Sequence, residues 1–400
     1  MKIALVDNMN NNFFAITRYF RDLGVDAHLF LIPQSGHKHF LPENDTHEDI
    51  SNAEWIKIFP VNYRPLTYLL PLTQEKLKTL AEYDRVVACG PAVGLLGRAG
   101  IQVDLFIPYG SDLINFPFKS KEEFSYNFFL LLPYLIISFW RQRNQFNGIK
   151  KAKITISNAN WEAAKAAIEE IGVFSKNLPR LMIYKEQIPT SVFEQFRFLD
   201  QHDFIVFSPT RHLWKTNAEP LPDFDRYGGA KRNDKLIRAF AKLVEEKLFS
   251  KPLLLFCEFG ADVGFSKLLI EELGIGKYTK WLPLMPRKQL VACISRVTFV
   301  ADQFREGISA TSAGTTNEAL AYGTPVITNT NGAIHDKMDP YYDAPILDAI
   351  TEDQIFGYFL DYSKNPKKYV NIGIKSQQWF EENLGMGLAK KYLSLLGSDV

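Results

Sequence analysis

The chain has 400 residues, with 46 lysines and arginines against 45 aspartates and glutamates, for a formal net charge of +1. That length exceeds what one hydrophobic core serves and points to two domains with a cleft between them. The balanced charge excludes a global field for nucleic acid, so any bound anion must be held by local groups.

Taken from the N-terminus, "KIALVD" reads as a first strand, its apolar run being too short for a secretory signal. The loop that follows, "DNMNNNFF", lacks the G-x-G-x-x-G fingerprint, which argues against a nicotinamide or flavin oxidoreductase. Its asparagines, among them Asn10 and Asn11, suit either a polar turn with a helix cap or contact with a polyhydroxylated ligand. "FFAITRYFRDLG" has apolar residues at helical spacing and Gly24 as a stop, and "DAHLFLI" is the second strand.

The alternation continues through "RVVACG", "PAVGLLGRAG", "VDLFIPYG", "KITISN", "WEAAKAAIEEIG" and "RLMIY", where strands separated by helices predict a parallel, doubly wound sheet. Ligands of such sheets lie beyond the carboxyl ends of the strands. In "IPYGSDL" that places Tyr109, Ser111 and Asp112 toward a cleft; Asp112 would either accept a hydroxyl proton or cap the next helix. "FFLLLPYLIISFW", Phe128 to Trp140, is uncharged but too short to span a bilayer and contains Pro133. Arg141, Arg143, Lys150, Lys151 and Lys153 follow it, an order that suits a helix lying on an anionic membrane surface over residues 128–153; the alternative is a buried helix pair split by Pro133.

A second series opens at "FIVFSPT" and runs through "DKLIRAFAKLVEEKL", "PLLLFCEFG", "FSKLLIEELG", "TKWLPL", "RKQLVACIS" and "VTFVAD". The division falls at residues 1–188 and 189–375, with a C-terminal helix, 376–400, packing back on the first half. Arg211 follows the first strand of this series and Lys231 precedes its first helix, a pairing that favours a pyrophosphate over two solvated surface charges. In "SAGTTNEA", Gly314, Thr315 and Thr316 sit at a helix N-terminus whose free amides attract phosphate. Glu318, in the first turn, would either complement the helix dipole or accept hydrogen bonds from a vicinal diol such as a ribose. Cys89, Cys257 and Cys293 are widely spaced beside apolar stretches and form no C-x-x-C pair, as expected of reduced core residues in a cytoplasmic protein.

Together these segments resemble the GT-B retaining glycosyltransferases of glycosyltransferase family 4, most closely from Phe204 to Val326. "EALAYGTPVI" is similar to the end of the family's E-x7-E segment, and "KRND" running into "KLIRAFAKL" to its lysine-bearing helix start. The resemblance implies two Rossmann-like domains facing each other across a cleft and a nucleotide-sugar donor. It implies a glycan or lipid-linked acceptor, and a place in cell-surface polysaccharide or glycoconjugate synthesis on the cytoplasmic side of the membrane. It also implies no metal or other cofactor and no protein nucleophile. Arg211 and Lys231 would hold the diphosphate, Glu318 the ribose, and the amides near Thr315 and Thr316 the phosphate turn.

Tyr109 stands where the family often has a histidine before Gly-Ser/Thr-Asp, and three further features depart from the family pattern. Ala310 stands where the first glutamate of E-x7-E belongs, leaving Glu306 as its substitute if the loop is longer. "TNAEPLPDFDRYGGA", 216 to 230, reads as an insertion, and "YKEQIP" replaces the usual linker. These departures motivate a rival reading as a nucleotide-sugar-binding protein without catalysis. A sugar-nucleotide epimerase on the same fold would need an acid and a base carboxylate that the sequence does not pair.

Overall fold

The computed structural model describes residues 1–32, 41–64, 67, 77–118, 128–157, 161–215, 230–307 and 309–398, with 78 and 128–134 as backbone only. The expected insertion at 216 to 230 lies outside these residues, apart from Ala230.

The first half builds a parallel sheet from β1 (Lys2–Val6), β2 (Asp26–Leu31), β3 (Ile56–Ile58), β4 (Arg85–Ala88), β5 (Leu105–Phe106), β6 (Ile154–Ser157) and β7 (Ser175–Asn177), in the order β3-β2-β1-β4-β5-β6-β7. The second half builds another from β8 (Phe204–Ser208), β9 (Pro252–Cys257), β10 (Thr279–Leu282), β11 (Phe299–Ala301), β12 (Val326–Thr328) and β13 (Leu347–Asp348), in the order β10-β9-β8-β11-β12-β13. Ile3 to Val6 and Phe204 to Ser208 are buried without alternation, because helices cover both faces of a parallel sheet. Strand order reverses between β1 and β4 and again between β8 and β11, which opens a crevice at the carboxyl ends of each pair.

In chain order the helices are α1 (Asn12–Asp22), α2 (Ala92–Arg98), the single turn α3 (Ser111–Ile114), α4 (Phe128–Lys151), α5 (Glu162–Ile171), α6 (Asn233–Glu245), α7 (Val263–Glu272), α8 (Arg287–Ile294), α9 (Gly314–Tyr322), α10 (Glu352–Lys364), α11 (Pro366–Asn383) and α12 (Met386–Leu395). The helix pair expected around Pro133 is instead one helix, α4. Pro133 is only its sixth residue, so the missing N–H costs a bond near the end and the longer C-terminal part carries the helix. Gly148 of α4 seats against α2: a Cβ there would lie 2.3 Å from the Val93 carbonyl, so only glycine permits this crossing. Among the described residues no helix is long and apolar enough to cross a membrane.

"RLMIY" also departs from expectation. Ser175–Asn177 takes the sheet edge beside β6, and residues 180–184 run as an extended connection between the halves. Tyrosine hydroxyls replace a strand partner there: the Leu181 amide donates to Tyr392 at 3.2 Å and the Lys185 amide to Tyr19 at 3.2 Å. Leu181 and Ile183 belong to a continuous buried cluster that reaches from Phe13 and Tyr19 to Phe207, Leu320 and Tyr392. The Tyr392 hydroxyl also donates to the Pro179 carbonyl, 2.6 Å, and Arg85 donates to the Leu396 carbonyl, 2.8 Å, so α12 lies against the first half. Cys89, Cys257 and Cys293 are all buried free thiols, and burial raises the pKa of each.

Candidate active site

At the second crevice the loops after β8 and β11 and the segment before α6 converge. Their backbones are tied directly, Lys231 N–H to the Leu213 carbonyl at 2.6 Å and Phe304 N–H to the Lys231 carbonyl at 3.1 Å. Lys231 Nζ donates to Gln303 Oε1 at 2.6 Å. Burial lowers its pKa to about 8, and the neighbouring Arg211 and Arg305 guanidinium groups push the same way against the opposing pull of Asp302. Three cations therefore share one half-buried neighbourhood. Arg211 and Lys231 were legible as a pair after a strand end; Arg305 was missed, because nothing in "ADQFREG" marks it as facing the same crevice.

Asp302 anchors this group. Fully buried, it accepts from Thr210 Oγ1 at 3.0 Å and Thr316 Oγ1 at 2.8 Å. Burial raises its pKa while Lys231 and these hydroxyls lower it. Thr316 thus turns its hydroxyl into the core, leaving its amide, with those of Gly314 and Thr315, among the first-turn donors of α9 that have no intrahelical acceptor. The polar turn after β12 fixes the β11 loop: Asn329 Nδ2 donates to the Arg305 carbonyl, and the Asn329 amide donates to that of Gln303 at 2.8 Å.

Glu318 lies beyond the first turn of α9, not within it as expected, because the helix opens at Gly314. A helix dipole acts within its first turn, so this placement weakens the dipole reading. The carboxylate is buried, 4% exposed, and accepts from Arg287 Nε at 2.9 Å. Burial raises its pKa and Arg287 opposes the rise. Glu306 takes no part in this arrangement: its side chain is exposed and pairs with Lys235 on α6 at 3.3 Å. Ala310 is buried, its amide donating to the Asn329 carbonyl at 2.8 Å.

The residues assigned to the first crevice stand differently. Asp112 is 0% exposed and accepts from the amides of Gly90 at 3.0 Å, Tyr109 at 3.0 Å and Gly110 at 2.8 Å. It ties the turns after β4 and β5 together, in keeping with a structural role for this carboxylate. Tyr109 donates to the Leu181 carbonyl at 2.9 Å, and Ser111 Oγ accepts from Asn115 at 3.3 Å. Asn10 and Asn11 both have φ in the left-handed region, 53° and 60°, which asparagine tolerates. Asn11 is buried and donates to the Leu41 carbonyl at 3.0 Å, whereas Asn10 is exposed.

Two further groups here carried no sequence signal. Asp7 has φ 76° and accepts from Tyr63 Oη at 2.5 Å; burial lifts its pKa to about 6. A Cβ at Gly90 would stand 2.4 Å from Asp7 Oδ2, so glycine is what lets that carboxylate sit at the β1–β4 reversal. "YKEQIP" has a structural role. Glu186 accepts from Arg18 at 2.8 Å, Thr46 at 2.7 Å and the His47 amide at 2.8 Å, which fastens the 41–48 loop to the connection. Among the described residues no cluster of three histidine, cysteine or acidic side chains has metal-binding geometry.

Residues 217–379 match the family described as Glycosyl transferases group 1. That match is a likeness over part of the chain, and the whole chain has the GT-B fold. Anabaena HepE, crystallised in complex with UDP, superposes with a TM-score of 0.59 at 16% identity over 98% of both chains. Sucrose-phosphate synthase from Thermosynechococcus elongatus gives 0.58 at 15% identity over 99% of this chain and 98% of that one. WaaG, a glycosyltransferase involved in lipopolysaccharide biosynthesis, gives 0.54 at 16% identity over 99% and 100%. No curated protein sequence matches the chain.

Proposed function

We propose that the protein is a retaining glycosyltransferase that moves a sugar from a nucleotide-sugar donor to a hydroxyl of a glycan or lipid-linked acceptor. The observation that carries this reading is the convergence of Arg211, Lys231 and Arg305 on one half-buried neighbourhood, at the edge of the segment that matches the group 1 family and holds the first-turn amides of α9. Preorganised cations and amides stabilise charge developing on a departing diphosphate, in place of a metal ion. Glu318, buried within the cleft, accepts the ribose hydroxyls. Attack comes from the acceptor hydroxyl on the face the leaving group vacates, so no protein nucleophile is assigned. The UDP bound to HepE makes uridine donors the first to try.

The acceptor side faces a membrane in this reading. On α4, Ile136, Phe139 and Trp140 are 44%, 46% and 41% exposed, and Arg143 lies over the Trp140 ring at 6.0 Å. Apolar and aromatic groups beside cations suit the surface of an anionic bilayer. Flotation with anionic liposomes should depend on Phe139 and Trp140; equal flotation of a double alanine variant removes this assignment.

Radiolabelled transfer and donor hydrolysis across UDP-, GDP- and dTDP-sugars test the main proposal. Turnover of one donor supports it. Tight binding without turnover favours the non-catalytic reading, which the outward-facing Glu306 and buried Ala310 make specific.

A further inference from the structure

Arg287 opens α8 in the second half, yet three of its four polar partners lie outside that half. Nε donates to Glu318 at 2.9 Å. Nη1 donates to Asp45 Oδ2 at 3.0 Å and to the Met182 carbonyl at 3.4 Å, and Nη2 reaches the Asn10 carbonyl at 3.3 Å. One guanidinium therefore joins the donor-side glutamate, the 41–48 loop, the connection between the halves and the loop after β1. Its neighbour repeats the contact: Lys288 Nζ donates to the Glu43 carbonyl at 2.7 Å, and His47 Nε2 lies 3.1 Å from the Lys288 carbonyl.

The two carboxylates that flank the guanidinium are buried to the same degree, with side-chain exposures of 6% each. A single cation serves two buried anions. Each oxygen of a carboxylate has two acceptor sites, and Arg287 Nε fills one on Glu318, which leaves capacity for a vicinal diol. Opening the cleft would part Arg287 from Asp45, Asn10 and the connection together, leaving a long, freely rotating side chain beside Glu318. Closing it fixes the guanidinium and, through it, the carboxylate.

We propose that Asp45, Arg287 and Glu318 form a bolt across the cleft, with Arg287 the positioning residue that makes recognition of the nucleotide ribose and closure of the two halves one coupled equilibrium. This rests on the donor reading of Glu318. A ligand that binds the closed form better shifts the population toward it, and the coupling is reciprocal. Asp45, on the far side of Arg287 from Glu318, should therefore influence nucleotide affinity at a distance.

The test compares wild type, Asp45→Asn, Glu318→Gln and the double variant by small-angle scattering without ligand and by calorimetric titration with UDP, GDP and dTDP. Asp45→Asn should enlarge the radius of gyration and weaken binding of the preferred diphosphate about tenfold, within the usual range of coupling between sites. In the Glu318→Gln background the same change should weaken binding less than about twofold. Arg287→Lys keeps the charge without the fork and should reproduce the Asp45→Asn result, which covers the case in which Asp45→Asn fails to fold. Unchanged scattering and affinity in the Asp45 and Arg287 variants, with wild type binding nucleotide, overturns the bolt while leaving the donor reading intact. A full tenfold loss in the Glu318→Gln background shows that Asp45 does not act through Glu318 and also overturns it. A wild type that binds no diphosphate fails the donor reading itself, and the coupling falls with it.

Discussion

The two crevices arise from the same topology but use carboxylates in opposite ways. In the first, Asp112 is surrounded by three backbone amides and its oxygens hold turns together. In the second, Asp302 supports a cationic neighbourhood and Glu318 meets a single guanidinium at the cleft. A carboxylate that satisfies several amides of its own loops serves the fold, whereas one with acceptor capacity left over is available to a ligand. Position after a strand end does not by itself distinguish them.

Asp112→Ala should give the largest effect and a purely structural one. Three amides, one buried and two partly buried, lose their acceptor, for a stability loss of about 3–5 kcal/mol, read by urea denaturation. A stable variant with selectively lost transfer would return Asp112 to the catalytic group. Glu318→Ala should do the reverse, weakening nucleotide binding by about 100-fold while Arg287 retains Asp45; unchanged affinity would remove the ribose role.

Asp7→Asn sharpens the contrast through pH. Because burial raises the folded-state pKa to about 6 from 3.8, the folded protein keeps a proton between pH 4 and 6 that the unfolded chain releases. Stability contributed by this group therefore falls as pH rises through that window and stays low above it. Asparagine, which tolerates the positive φ, should stabilise the protein by about 1–3 kcal/mol at pH 7.5 and change little at pH 4. An equal gain at both values would refute the burial explanation.

Smallest is the response of Lys231. Its pKa of about 8 keeps the cation charged below that pH, so the donor KM should rise by up to about tenfold per pH unit above it. Lys231→Arg should flatten the profile, since arginine stays charged. A profile unaltered by that substitution would place the titrating group elsewhere.

Residue pattern alone determined much of this protein. Uninterrupted apolar runs such as "FIVFS" and "PLLLFC", alternating with helical periodicity, specify parallel strands covered on both faces. The tail "EALAYGTPVI", with Arg211 and Lys231 set after strand and loop ends, pointed to the second crevice. These features are local in the chain, and local spacing is what a sequence displays. Tertiary structure decided which polar groups remain available. Only folding brings Arg305 beside Lys231, turns Thr316 into Asp302, adds the Gly90 amide to the two local ones on Asp112 and carries Arg287 across to Asp45. Those outcomes depend on partners up to 242 residues apart, and hydrogen-bond satisfaction is settled by who arrives in space rather than by who stands nearby in sequence.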